Sequence, residues 1–366
     1  MMSPSSSRRG ARRVMPLLIA GIVLTLVLAV AIGLLQSMRD ASAAVTPVPW
    51  PGSGDVAVLD TADPLPSDIS GLDYEPDGAD GGVLWAVRNG PTLLYRLAPR
   101  EGSWQAVSAE WEGGRTLTYS DGEGSPDAEG IALAANDAEN GIFLATERDN
   151  DDPEESSLRV LRFDPFAEPG SDSDELAAVQ EWDLSTDFAA LPEPNRGFEG
   201  IAYVSDEYLL SKRFVDENTG RRYDPASYGE HWGGVFFLGL EETGMIHGYV
   251  LADDGAYQRI ATIDSGLPMV AELDFDPERG LLWAVCDDAC AGETTTLGVK
   301  ARRWFGGGHF AVTQRYHRPA GLPDTNNEGF AVASEAECAD GGKPVYWADD
   351  AALDEIVLRV GAIRCS

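Results

Sequence analysis

The sequence contains 366 residues, of which 27 are basic and 61 acidic, so its formal net charge is −34. Binding to a nucleic-acid backbone needs clustered Lys and Arg, and this excess of carboxylates therefore excludes nucleic acid as a partner. The four cysteines and four histidines have no zinc-site spacing, and the cysteines instead predict two disulfides in an oxidising compartment.

The first 44 residues differ in character from the rest. Four arginines between positions 8 and 13 precede an uncharged apolar run from Val14 to Leu35. This length favours a transmembrane signal-anchor, although the small residues at 41–44 leave a cleaved signal peptide open. In both cases the arginines stay in the cytoplasm and the remainder is exported, either secreted or attached to the membrane by this segment alone. Residues 45–54 are predicted to form a linker.

Five later segments repeat one pattern, in which a turn leads through a polar or acidic residue into a short apolar strand. They are LPSDISGLDY (65–74), SPDAEGIALA (125–134), LPEPNRGFEGIAYV (191–204), LPMVAELDFD (267–276) and LPDTNNEGFAVA (322–333), with Ser70, Glu129, Glu199, Glu272 and Glu328 at the equivalent position. The spacing of 56 to 73 residues suits a four-stranded propeller blade with its loops.

Short strands rich in Val, Leu and aromatic residues follow each repeat start. The second strands are predicted as VLWAVR, IFLATER, YLLSKR, LLWAVCDD and VYWADD. The last unit lacks a fourth strand, and an unassigned strand, DVAVLD, lies at Asp55–Asp60. We therefore predict an all-β fold, a single β-propeller over residues 55–366. Five blades are favoured, with the N-terminal strand closing the ring, whereas six would require a unit too degenerate to recognise.

This arrangement brings the repeated glutamates to one mouth of the axial channel, because strand one begins where strand two ends. The predicted metal ligands are Glu129, Glu199, Glu272 and Glu328, and the strand-two arginines Arg88 and Arg148 reach the same face. At about 6 Å and an effective dielectric of about 20, each pair of carboxylates repels by roughly 3 kcal/mol. Ca²⁺ would relieve this repulsion. Alternatively, each glutamate accepts backbone N–H bonds and holds the blades together.

Two further features concern the loops. A basic and aromatic segment at 214–233 follows YLLSKR, and with Arg213 it supplies Arg221, His231 and Trp232 as candidate substrate-binding residues of a lid, unless its aromatic rings pack on a neighbouring blade. Cys286 and Cys290 bracket a turn on the glutamate face, and Cys338 and Cys365 fall on the opposite face. The predicted disulfides are Cys286–Cys290 and Cys338–Cys365.

The repeated Glu-Gly-Ile/Phe-Ala starts resemble the phytase-like family, described as having esterase-like activity. They are also similar to the SdiA-regulated propellers and, more remotely, to the calcium-activated apyrases. The resemblance covers about Asp55 to Ile363 and implies a propeller with calcium near its axis and hydrolysis of phosphoesters or esters. The motif of the family is matched at Glu129, Glu199 and Glu328. Two repeats depart from it, because Glu272 is followed by Leu-Asp and Ser70 stands in place of the glutamate.

The sequence contains no Gly-x-Ser-x-Gly nucleophile elbow and no P-loop. We therefore predict a monomeric, calcium-dependent hydrolase that acts on a small anionic substrate at the axial mouth. Glu199 and Glu328 are the candidate general bases. Arg213, Arg88, Arg148 and Arg221 are the candidates for binding the substrate and stabilising the developing charge. The alternatives are a non-catalytic envelope propeller that binds a ligand or protein, and a five-bladed glycosidase with two carboxylates about 5–9.5 Å apart.

Overall fold

Five main β-sheets, four with four strands and one with six, form the structure, a computed structural model that describes residues 45–59, 65–76, 81–100, 102–167, 175–301 and 307–366. The N-terminal segment on which the membrane anchor or signal was predicted lies outside these residues. No helix in the described ranges is long and apolar enough to cross a membrane. The residues from Thr46 onward belong to one compact unit.

The first two blades follow the predicted order closely. A short strand β1 (Ala57–Val58) precedes blade 1, which contains β2 (Ile69–Glu75), β3 (Val83–Arg88), β4 (Leu93–Arg100), β5 (Ser103–Ala106) and β6 (Arg115–Thr118). Blade 2 contains β7 (Pro126–Leu133), β8 (Ile142–Asp149), β9 (Asp152–Phe163) and β11 (Gln180–Asp183), while β10 (Glu175–Ala177) pairs in parallel with β6. In blade 1, β5, a 3₁₀ turn and β6 together take the place of a single fourth strand.

The third blade differs from the prediction. It contains β12 (Phe198–Ser205), helix α1 (Asp206–Ser211), a small hairpin of β13 (Val215–Asp216) and β14 (Arg221–Arg222), and then β15 (Gly234–Leu240), β16 (Met245–Leu251) and β17 (Tyr257–Asp264). The prediction that YLLSKR forms strand two is wrong. Ser205 caps a helix there by accepting a hydrogen bond from the Tyr208 N–H, and β15 pairs with β12 in its place.

The last two blades close the ring. Blade 4 contains β18 (Glu272–Asp276), β19 (Leu281–Val285), β20 (Thr294–Ala301) and β21 (Gly308–Tyr316), and blade 5 contains β22 (Gly329–Val332), β23 (Gly342–Ala348) and β24 (Leu358–Arg364). Strand β1 pairs antiparallel with β24 as the outer strand of blade 5. The five-bladed ring and its closure by the N-terminal strand are thereby confirmed.

Short 3₁₀ turns connect many of the strands. They span Ala109–Trp111, Ala134–Asn136, Ala138–Asn140, Ser185–Asp187, Pro225–Ser227, Glu241–Thr243, Asp288–Cys290, Glu335–Glu337 and Leu353–Glu355. Both predicted disulfides are present, Cys286–Cys290 and Cys338–Cys365. Such bonds are typical of an oxidising, extracytoplasmic compartment.

The hydrophobic core lies between adjacent blades, where the faces of neighbouring sheets pack together. Four tryptophans, one each from blades 1, 2, 4 and 5, are almost completely buried in it: Trp85, Trp182, Trp283 and Trp347. A fifth, Trp50, comes from the N-terminal arm at 46–54, which was predicted to be a linker. Its ring packs between blades 4 and 5, and the arm forms β-bridges at Val48 and Gly52.

Candidate functional site

The glycine of the repeated Glu-Gly pair brings the innermost strands into contact at the axis. A Cβ on Gly130 would lie 2.4 Å from the Glu199 carbonyl oxygen, and one on Gly200 would lie 2.4 Å from the Leu273 nitrogen. Both glycines fall at shifts of strand register, which are β-bulges or similar irregularities. Because bulges redirect the neighbouring side chains, the glutamate before each glycine lies at an irregular point of the strand.

Three carboxylates of blade 2 form a compact buried cluster, which we call the acidic cluster. One carboxylate oxygen from each of Asp127, Glu129 and Glu147 lies within 4.8 Å of the other two. Their side chains retain 4% or less of their exposure. Glu129 was predicted as a metal ligand, but Asp127 and Glu147 were not. Glu147 ends strand two on this face, so the same geometric rule could have included it.

The hydrogen-bond donors around the acidic cluster do not satisfy all of its carboxylate oxygens. The Arg148 Nε lies 2.5 Å from an Asp127 oxygen, and the Asn89 amide donates to Glu129 at 3.3 Å. Glu147 accepts the Gly197 N–H through Oε2 at 2.9 Å. Its other oxygen, Oε1, is buried and accepts no hydrogen bond from an N–H or hydroxyl group of the described residues, although the Arg148 guanidinium lies 3.8 Å away. A buried carboxylate oxygen without a donor is costly unless a proton or a cation reaches it.

The electrostatic environment strongly disfavours ionisation here. Burial, followed by the charges of Asp127 and Glu147, raises the pKa of Glu129 well above its usual value. Burial and the nearby Glu129 and Glu147 do the same for the pKa of Glu199. Burial, and to a lesser extent Asp127, raises the pKa of Glu147 to about 7. The cluster must therefore hold protons, or a cation must neutralise it.

Glu328 extends this arrangement from blade 5 and is the more accessible of the repeated glutamates. The residue as a whole is partly exposed although its carboxyl group is largely buried, and the Asn326 amide donates to that group at 2.8 Å. Burial and the charge of Asp350 raise its pKa, while the Ser70 hydroxyl lowers it. Ser70 also lowers the pKa of Glu129. The serine that replaces the acid in the first repeat thus lies between two of the glutamates.

Glu272 behaves differently from the other repeated glutamates. Its two oxygens accept the N–H groups of its own neighbour Leu273, at 2.9 Å, and of Leu72 in blade 1, at 3.3 Å. Blade 5 separates blade 1 from blade 4 in the ring, so this side chain reaches across the axis. Its strand carries no register shift and no Glu-Gly pair. For this residue the contacts match the alternative in which a glutamate holds blades together.

The remaining predicted site residues divide between the two faces. Arg88 bonds to the Asp68 carboxylate and the Ser67 carbonyl on the glutamate face, and Arg148 lies in the acidic cluster there. The segment carrying Arg213, Arg221, His231 and Trp232 instead connects strands one and two of blade 3, which places it on the opposite face. There, Phe214 bridges to Gly308 and the Tyr208 hydroxyl donates to the Gly280 carbonyl.

Several contacts within this segment show how it is held. His231 Nε2 lies 3.0 Å from the Asp206 carboxylate, the Tyr223 hydroxyl donates to the same carboxylate at 2.7 Å, and Arg162 stacks on the Trp232 ring at 4.0 Å. The arginines at 221 and 222 are exposed. The prediction of this segment as a lid over the glutamate mouth is wrong, because the α1 residues form a helix and not a strand, and the chain therefore stays on the opposite face.

The model of the phytase-like family, described as esterase-like activity of phytase, matches residues 67–243. Over these residues the chain is similar to that family. The match includes Glu129, Glu147 and Glu199 but ends before Glu272 and Glu328. The family description indicates a hydrolase-type β-propeller, and the acidic cluster lies within the phytase-like region.

Other comparisons add little. No curated protein matches the chain. The crystal structure of a nidogen/laminin complex contains a chain with 14% identity and a TM-score of 0.36, and the match covers 86% of this chain and 98% of that one. A chain in the crystal structure of a mitotic checkpoint complex has 12% identity and a TM-score of 0.37, with coverage of 88% and 98%. At these TM-scores neither similarity bears on function.

Proposed function

We propose that this protein is an exported, calcium-binding propeller that hydrolyses phosphoesters or carboxylic esters at its glutamate mouth. The observation that carries the proposal is the acidic cluster, with its unsatisfied Glu147 oxygen, inside a phytase-like region. Its ligand atoms are all carboxylate oxygens, which suits a hard cation. Ca²⁺ tolerates irregular coordination by six to eight oxygens, whereas Mg²⁺ demands a near-octahedral set.

The proposed roles follow from exposure and charge. Asp127, Glu129 and Glu147 would hold the cation, which when bound would polarise a phosphoryl or carbonyl oxygen. Glu328 is the better candidate for activating water because it is partly exposed, whereas Glu199 retains 7% of its exposure. Arg148 and Arg88 lie on the same face and would stabilise the charge that develops on the substrate. An anionic substrate therefore suits this mouth better than a neutral one.

An activity assay tests the proposal directly. We expect calcium-dependent hydrolysis of p-nitrophenyl phosphate or p-nitrophenyl acetate, with loss of activity in chelator. Glu328→Gln should reduce kcat by about 10² or more, since a general base typically contributes 10²–10⁴-fold. Arg213→Ala, on the opposite face, is the matched control and should leave kcat within about twofold of the wild-type value, because it contacts no group of the acidic cluster.

Two results would contradict this assignment. A decrease in kcat for Arg213→Ala as large as that for Glu328→Gln would move the site to the opposite face. Absence of turnover on both substrates, with calcium binding intact, would favour the non-catalytic envelope propeller. The glycosidase alternative needs an open axial pocket, and the Glu272 side chain crosses the axis instead.

The pH dependence of stability provides an independent prediction for calcium-free protein. Glu147 has a pKa of about 7 when folded, against a usual value of 4.5. Between these values the unfolded chain loses a proton that the folded protein keeps, so the free energy of unfolding should fall as the pH rises. The slope for this group approaches about 1.4 kcal/mol per pH unit and flattens above pH 7.

Urea unfolding in chelator between pH 5 and 8 measures this slope. Glu147→Gln should flatten the slope, because the amide does not titrate, while the surface charges that also act on stability stay unchanged. Saturating calcium should flatten it as well, since the cation favours the ionised carboxylate. A slope that is identical in wild type and Glu147→Gln would show that Glu147 ionises normally in the folded protein.

A further inference from the structure

A cavity of about 580 Å³ lies at the outer edge of blade 1 and shares no residue with the acidic cluster. Strands β4 and β5 and the 3₁₀ turn Ala109–Trp111 form its walls, and Leu65 and Pro66 lie at its side. Small-molecule sites typically enclose about 300–1,000 Å³ and are lined mainly by apolar and aromatic side chains. The size of this cavity falls within that range, and its lining combines aromatic rings with polar side chains.

The aromatic walls of the cavity are fixed in place by the core behind them. Trp104 packs edge-on against Tyr346 of blade 5 at 5.2 Å, and Trp111 packs edge-on against Trp85 at 5.3 Å. Trp104 and Trp111 retain 6% and 4% of their exposure, and Tyr95 retains 4%. Because these rings are held from the core side, the cavity does not need to form when a ligand arrives.

Polar groups of these rings remain available to a ligand. Among the described residues, nothing accepts a hydrogen bond from the indole N–H of Trp104 or Trp111, and neither nitrogen is sealed from solvent. By contrast, Trp50, Trp85 and Trp182, which lie outside the cavity, donate their indole N–H groups to carbonyl or carboxylate oxygens. The cavity therefore offers hydrogen-bond donors, and a ligand with an acceptor oxygen would complement them.

A positive charge on the rim also favours a ligand with an acceptor oxygen. Arg100 donates to the Val107 carbonyl at 2.8 Å and has no carboxylate within 4.0 Å in the part of the chain that the structure describes. Glu112, also on the rim, is exposed to solvent and forms no ion pair with Arg100. In a chain with a net charge of −34, an arginine that pairs with no carboxylate of the described residues and lies beside two indole donors is an unusual local arrangement.

We propose that this cavity binds a planar aromatic compound that carries an anionic oxygen. The rings of Tyr95, Trp104 and Trp111 would contact its flat apolar part, and the indole N–H groups and the Arg100 guanidinium would meet its oxygen. This site is separate from the glutamate mouth and does not depend on the proposed hydrolase activity.

Titration of the folded protein with anilinonaphthalene sulfonate, a planar aromatic anion, tests the site by calorimetry and fluorescence. We expect one saturable site per chain with a Kd in the micromolar range, as for a small ligand in a preformed apolar pocket. Ala109→Trp places a large side chain on the cavity wall and should weaken binding at least about tenfold, because it occupies the ligand's volume. Ala336→Trp, on another exposed 3₁₀ turn, is the matched control and should leave the Kd unchanged.

A second variant tests the chemical class of the ligand. Trp104→Phe keeps a ring but removes the N–H. It should therefore raise the Kd of the sulfonate probe by about tenfold, as expected for a lost hydrogen bond to a charged group. N-phenyl-1-naphthylamine has the same rings without the sulfonate, and its affinity should fall no more than about twofold in Trp104→Phe. Equal weakening of both probes would overturn the assignment to anionic ligands. Unsaturable binding, or binding unaffected by Ala109→Trp, would overturn the site itself.

Discussion

Calcium should raise the melting temperature of this protein by about 5 °C or more over its value in chelator. A ligand at a hundredfold excess over its Kd stabilises the folded state by about 2.7 kcal/mol, and each kcal/mol shifts the melting temperature of a large domain by roughly 2–4 °C. The acidic cluster adds a reason for a large effect, because the cation would remove the repulsion between the buried carboxylates. Magnesium should do less, since it requires tighter octahedral geometry.

Glu129→Gln should abolish most of the calcium-dependent shift, because it removes one charged ligand while keeping the side chain's shape. In chelator this variant should be at least as stable as wild type, since a neutral amide relieves the repulsion with Asp127 and Glu147. Glu154→Gln, in an exposed acidic segment of β9, is the matched control and should retain the full shift. Differential scanning calorimetry in calcium and in chelator measures all three proteins. A full shift in Glu129→Gln would place the cation elsewhere.

Trp50→Ala should lower the free energy of unfolding by about 3–5 kcal/mol, which corresponds to a decrease of about 10 °C in melting temperature. The Trp50 ring lies 5.5 Å from Trp347 and 6.0 Å from Trp283, measured between ring centroids, and its N–H donates to the Ala362 carbonyl at 3.0 Å. Truncation would open a cavity between blades 4 and 5, beside the blade that β1 completes.

Trp50→Phe is the control for this prediction. It keeps most of the apolar contact and loses the hydrogen bond, so it should cost about 1–2 kcal/mol. Gly52→Ala tests the same arm independently, because its Cβ would lie 1.8 Å from the Ala362 carbonyl oxygen. Urea unfolding of the three variants gives the free energies. A loss below about 1 kcal/mol for Trp50→Ala would mean that the arm does not belong to the cooperative unit.

The predictions drawn from the sequence succeeded where a pattern is repeated. Five similar strand starts predicted five blades, and the missing fourth strand of the last unit predicted its completion by β1. The two disulfide pairs followed from the face assigned to each cysteine. Such inferences depend on the alternation of apolar and polar residues along each strand and on the number of strands. Both can be read directly from a single sequence.

The prediction failed in blade 3, where the repeat is interrupted. The residues YLLSKR have enough apolar character for a strand, but the Ser205 cap and the pairing of β12 with β15 make them a helix in an insertion. This single error moved Arg213, Arg221, His231 and Trp232 to the wrong face. Local composition could not decide the matter, because strand and helix propensities of short apolar runs overlap.

By itself, the sequence determined the fold class, the blade number, the ring closure and the approach of the repeated glutamates to one axis, because these follow from strand period and repeat count. Tertiary structure decided which carboxylates meet. Register shifts at the Glu-Gly pairs accompany the grouping of Glu129 with Asp127 and Glu147, whereas the regular strand of Glu272 directs it to backbone N–H groups across the axis. Distances of a few ångströms between side chains depend on such shifts and on packing between blades, and neither leaves a signal in the spacing of residues along the chain.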